Sequence, residues 1–73
     1  MKRCSVTLHG HRTSISLEPE FWAVLKHVAK QDGLSVAALI QRIDDERLTA
    51  TPRRGLSSAL RVYLLQYFQN GQG

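Results

Sequence analysis

Polar and apolar residues alternate twice near the start of the chain, in Ser5-Val6-Thr7-Leu8 and again in Thr13-Ser14-Ile15-Ser16-Leu17. A period of two is the mark of a strand with one buried face. It turns Val6, Leu8, Ile15 and Leu17 inward and Ser5, Thr7, Arg12, Ser14 and Ser16 outward. Between the two runs lies His9-Gly10-His11, where glycine tolerates a positive φ. The segment is either a hairpin turn or a bulge within one longer strand, so the strand region is 5–17. From Pro19 the period changes. Phe21, Trp22, Leu25, Val28 and Ala29 recur at steps of three and four, which predicts a helix over 19–32, opened by Pro19 and closed by Gly33. Ser35 is a good N-cap for a second helix over 35–48, with Val36, Leu39, Ile40 and Ile43 as its apolar stripe. Asp44, Asp45 and Glu46 read as its solvated face. A loop over 49–55 with Pro52, Arg53, Arg54 and Gly55 leads to a third helix over 57–69, capped by Ser57 or Ser58. Leu60, Val62, Tyr63, Leu64, Leu65, Tyr67 and Phe68 cover most of its circumference, so this helix must pack against the fold or a partner. The tail 70–73 is expected to fray. No internal repeat, low-complexity tract or linker stands out.

The pattern is therefore strand, helix, helix and an added helix, a mainly helical domain over 1–73 with an N-terminal β-ribbon. A lone strand leaves its backbone donors and acceptors unpaired. With at most a short hairpin per chain, pairing with the same strand of a second copy is the economical solution, and a two-fold axis makes that pairing antiparallel. Length points the same way. At 73 residues the core is marginal, and a single cysteine, Cys4, cannot make an intrachain disulfide. Oligomerisation is the remaining support.

Charge adds a partner. Ten Lys and Arg against six acids give a net charge of +4. Lys2, Arg3 and Arg12 precede the first acid, Glu18, and a basic arm of this kind attracts polyanions, nucleic acid above all. A two-stranded ribbon fits the major groove, where short polar side chains and a bidentate arginine read base edges. Arg12, Ser14 and Ser16 stand on one face of one strand and are the candidate base-contacting residues. Lys2 and Arg3 suit phosphates, and so does the helix N-terminus at Leu34 and Ser35. Cys4, His9 and His11 make only a loose metal-like set without a fourth ligand, so no metal or cofactor is expected. No nucleophile-base pair or glycine-rich phosphate loop is present, so catalysis is not expected. No apolar run approaches a membrane span, no signal peptide is visible, and the single thiol fits a reducing cytoplasm.

Arg12-Thr13-Ser14-Ile15-Ser16-Leu17, the helix opening at Pro19, and Gly33-Leu34-Ser35 with Ala38-Leu39-Ile40 resemble the ribbon-helix-helix superfamily of Arc, MetJ and CopG-type repressors. His9 to Ser14, Leu17 to Trp22 and Leu56-Ser57-Ser58-Ala59-Leu60-Arg61-Val62 are similar to a subfamily of short bacterial proteins of that superfamily. The resemblance implies an intertwined homodimer whose antiparallel ribbon enters the major groove of double-stranded DNA, acting as a transcriptional regulator, a repressor in kind. By carry-over it puts base contacts on Arg12, Ser14 and Ser16 and phosphate contacts on Leu34 and Ser35. The loop with Arg53 and Arg54 and the third helix depart from the usual pattern. They suggest an alternative, an interaction module that binds another protein through the C-terminal helix, as antitoxins of the superfamily do.

Overall fold

The computed structural model describes residues 1–52 and 54–71. Arg53 of the expected loop and Gln72 and Gly73 of the expected frayed end lie outside the described residues. Two strands, β1 (Lys2–Leu8) and β2 (His11–Leu17), precede three helices, α1 (Pro19–Gln31), α2 (Val36–Thr49) and α3 (Leu56–Gln69). The strands pair antiparallel with each other, from Lys2 opposite Leu17 to Leu8 opposite His11. His9 and Gly10 form the two-residue turn, both with positive φ, at 51° and 79°. That is the type I′ conformation, whose twist matches the flanking strands.

The ribbon therefore closes within one chain. The unpaired strand is one of the reasons to expect a second copy, and β1 supplies that partner in cis, starting three residues before the alternation at Ser5; the small core still favours an oligomer. Lys2, Arg3 and Cys4 belong to the strand because they complete the pairing with Leu17, Ser16 and Ile15. Alternation then does what period two demands. Leu8, Ile15 and Leu17 are buried, Cys4, Val6 and Thr13 are half-buried, and Arg3, Ser5, Thr7, Arg12 and Ser14 are exposed.

The helices form the floor beneath the ribbon. Trp22, Leu25 and Val28 from α1, Leu39, Ile40 and Ile43 from α2, and Leu60 and Leu64 from α3 close over the inner ribbon face as one cluster. Each such side chain contributes roughly 1.5–3 kcal/mol of burial. Pro19 occupies the first turn of α1, where its missing N–H costs nothing. The indole of Trp22 donates to the Lys2 carbonyl at 2.8 Å, fastening the open end of the hairpin to α1. Gly33 takes φ 70° and the Leu34 amide returns to the Ala29 carbonyl at 2.8 Å, the reversal that separates α1 from α2.

Two local expectations are corrected. Asp44 is not on a solvated face: it is buried, 6% exposed, and accepts from Arg47 Nη2 at 2.6 Å and Nε at 2.9 Å. Arg47 Nη1 also donates to the Arg54 carbonyl at 3.2 Å, so this buried pair ties the α2–α3 loop to α2. The N-cap of α3 is Gly55, without a side-chain cap. Ser57 lies inside the first turn and its hydroxyl donates to the Ser16 carbonyl at 3.3 Å. α3 is further held at the start of α1, where Arg61 donates to Glu18 Oε1 at 2.8 Å through Nη2 and lies 5.6 Å from the Phe21 ring centroid.

Candidate nucleic-acid interface

With the strands in register, the outward residues form a two-column surface. Arg3 stands opposite Ser16, Ser5 opposite Ser14, and Thr7 opposite Arg12. The six residues of this face include two arginines, four hydroxyls and no acid. Guanidinium groups donate in a fixed fork, and hydroxyls both donate and accept, so the face offers the functional groups that base edges and phosphates require. Arg3 Nε reaches Ser16 Oγ at 3.5 Å, a long contact that leaves most of the guanidinium free. Antiparallel strands lie roughly 4.8 Å apart, and the major groove, about 12 Å wide, admits a ribbon of that size.

Arg12, Ser14 and Ser16 share this face as expected of the alternation. Arg12 and Ser14 are exposed, while Ser16 is half-buried, its carbonyl covered by Ser57. Arg3 joins them, on the same face rather than in a flexible arm. Lys2 is exposed at the open end of the hairpin, on the opposite side of the alternation from Arg3. Leu34 and Ser35 are elsewhere, at the start of α2, and among the described residues no hydrogen bond links them to the ribbon. Leu34 packs against the core, and Ser35 Oγ accepts from the Ala38 amide at 3.1 Å. That cap leaves the first-turn amides of Val36 and Ala37 open at the positive end of the helix.

Ser5 and Thr7 are functional candidates that the reading of one strand did not assign. Their signal was present in the alternation of residues 5–8. Joining them to Arg12 needed the register, which only the turn geometry fixes.

The hairpin tip rests on α2. His9 Nε2 meets Asp45 Oδ1 at 2.5 Å, and the His9 amide donates to Gln41 Oε1 at 3.4 Å. His9, Asp44 and Asp45 bring possible ligand atoms within 4.8 Å of one another. Both carboxylates already face a basic group, Asp44 with Arg47 and Asp45 with His9, so the group reads as a tether of the tip. Cys4 and His11 take no part in it: Cys4 is half-buried opposite Ile15, and His11 lies opposite Leu8.

Among the described residues no helix is long and apolar enough to cross a membrane. The family model described as a ribbon-helix-helix domain matches residues 1–68, from the first strand to the last turns of α3. Comparison with curated proteins and with solved structures returns no significant match.

Proposed function

The chain belongs to the ribbon-helix-helix domain family, whose members are generally non-enzymatic DNA-binding regulators of transcription, and from that premise we propose that it binds double-stranded DNA through its hairpin and regulates transcription as a repressor. The observation that carries this reading is the acid-free outer face with Arg3 and Arg12 among four hydroxyls. Arg12, Ser14 and Ser16 contact bases. Lys2 and the α2 N-terminus at Leu34 and Ser35 contact phosphates. The protein then works in the cytoplasm beside its DNA and needs no cofactor.

A homodimer fits the same role, with its interface moved away from the ribbon. An apolar groove between α1 and α3 is lined by Phe21, Val24, Val62 and Leu65. Leu65 and Phe68 form its outer wall and are 58% and 43% exposed. An exposed apolar face of this kind is covered when the same face of a second copy meets it across a two-fold axis. The paired Glu18 and Arg61 at the rim leave no unbalanced charge to repel a second copy.

The test is titration of the protein into duplex DNA at several salt concentrations, with its mass followed by light scattering. Binding should weaken steeply with salt, and Arg12→Ala should cost about 1–3 kcal/mol on a preferred site. Wild type should run as a dimer and Leu65→Glu/Phe68→Glu as a folded monomer. Indifference to DNA would sink the repressor reading. A monomeric wild type would instead give the apolar face to a different protein, the interaction-module reading.

A further inference from the structure

The register of the hairpin exposes an internal repeat. Arg3-Cys4-Ser5-Val6-Thr7-Leu8 on β1 matches Arg12-Thr13-Ser14-Ile15-Ser16-Leu17 on β2, nine positions on, in the Arg, Ser and Leu and in two conservative changes, Val for Ile and Thr for Ser. Although no repeat is expected from the linear sequence, where a six-residue match of this kind is too short and too varied to stand out, pairing of the strands brings it onto one face. Burial follows the repeat at four of its six positions: Arg3 and Arg12 are exposed, Cys4 and Thr13 half-buried, Ser5 and Ser14 exposed, and Leu8 and Leu17 buried. At the other two the β2 residue is the more covered, Ile15 buried against half-buried Val6 and Ser16 half-buried against exposed Thr7.

Because Ser5 is paired with Ser14, an antiparallel two-fold axis through that pair carries Arg3 onto Arg12 and Thr7 onto Ser16. The outer face is thus symmetric about its own centre, with one arginine at each end, diagonally opposed. A likeness continues one layer down. α2 lies against β1 and α3 against β2, and the two helices are entered through the same Gly-Leu-Ser-x-Ala, at 33–37 and 55–59. There the symmetry is only approximate, since Ser35 caps its helix while Ser57 lies within the first turn of α3 and bonds to β2.

We infer that one chain supplies, through this repeat, both halves of a symmetric reading ribbon, so that a single hairpin recognises a short palindromic DNA element with Arg3 on one outer base pair and Arg12 on the other. The inference rests on the DNA-binding reading above and adds the form of the site and the role of Arg3. Arg3 and Arg12 are four residues apart along the ribbon, about 13 Å at roughly 3.3 Å per residue. Base pairs rise about 3.4 Å along the helix axis and the groove path per pair is longer. The two arginines therefore address pairs about three to four steps apart. Arginine prefers the O6 and N7 of guanine, and the dyad puts the two guanines on opposite strands.

The experiment is selection from a random duplex pool with the full chain, repeated with Arg3→Ala, Arg12→Ala and the double variant, each checked for native circular dichroism. The wild type should select a palindrome bounded by two G·C pairs. Each single variant should keep one outer pair and lose roughly 5- to 150-fold discrimination at the other, and the double variant should lose both. A ribbon made between two copies of β2 would behave differently, with Arg12→Ala erasing both outer pairs and Arg3→Ala erasing neither, and that result overturns the inference. So does a uniform loss over all sequences with Arg3→Ala, which marks a phosphate contact, or a selected site without a dyad. Failure of the wild type to retain any duplex, even at low salt, removes the DNA-binding reading itself and is distinguished before any variant is made.

Discussion

Replacing Gly10 with alanine decides by its sign where the ribbon closes. In the hairpin Gly10 has φ 79°, the left-handed region that costs an L-residue roughly 1–2 kcal/mol. An added Cβ would meet no atom within 4 Å, so the backbone conformation, and no clash, sets the penalty. Alanine also narrows the unfolded ensemble, which offsets about 0.4–1 kcal/mol. The net expectation is a destabilisation of about 1 kcal/mol, equivalent to roughly 4–8 °C in a domain of this size. If residues 5–17 instead ran as one extended strand paired with another chain, Gly10 would adopt an ordinary β conformation. Only the unfolded-state term would remain, and the variant would be more stable than wild type. Thermal and urea unfolding followed by circular dichroism measure the difference. Gly55, with φ −65° and open space around its Cβ position, serves as the control without a left-handed penalty: its alanine variant loses some N-cap preference, which the unfolded-state term offsets. A Gly10→Ala protein as stable as wild type, or more so, would refute the closed hairpin and the cis ribbon with it.

Two further perturbations test how α3 is built in. Leu60 is 0% exposed within the shared core, so Leu60→Ala should cost about 2–5 kcal/mol in urea unfolding; a cost near zero would mean that α3 is an appendage. Glu18 has its carboxyl held below the usual value of 4.5, chiefly by the hydrogen bond from Arg61. A lowered folded-state value means that this contact stabilises fully above pH 4.5 and is lost as the pH falls through the folded value. Glu18→Gln should flatten that part of the acid unfolding profile, and an unchanged profile would show that the pair adds nothing to stability.

The elements were legible because each wrote its period into the chain. Ile15 and Leu17 alternate with Ser14 and Ser16, and Leu25, Val28 and Ala29 fall at helical steps, so strand and helix separate on pattern alone. Pro19 and Gly33 mark places where φ is constrained, and they mark α1 at its opening and just past its end. Asp44 was misread because burial of an acid depends on a partner from the same helix face reaching it, here Arg47, and hydropathy carries no such information. The candidate site was half legible. Arg12, Ser14 and Ser16 follow from one strand's alternation, but the place of Arg3, Ser5 and Thr7 beside them depends on pairing across the turn.

That pairing changes what the family's ribbon requires of this chain. A strand that must find its partner in a second copy couples folding, dimerisation and groove reading in one event. Here β1 pairs with one edge of β2 in cis, and α3 contributes Leu60 and Leu64 to the floor beneath, so a two-stranded ribbon stands within one chain. The proposed dimer contact through Leu65 and Phe68 would then vary without disturbing the proposed reading face, because those residues lie on α3 and none of the six outward ribbon residues does. The Leu65→Glu/Phe68→Glu monomer should consequently keep wild-type sequence preference on a single element, and lose only the added affinity that two linked hairpins gain on paired sites. Selection with this variant, compared with wild type on one element and on two elements spaced by a helical turn, separates the two contributions. A monomer that folds but no longer distinguishes the palindrome from random duplex would show that the ribbon depends on the second chain after all.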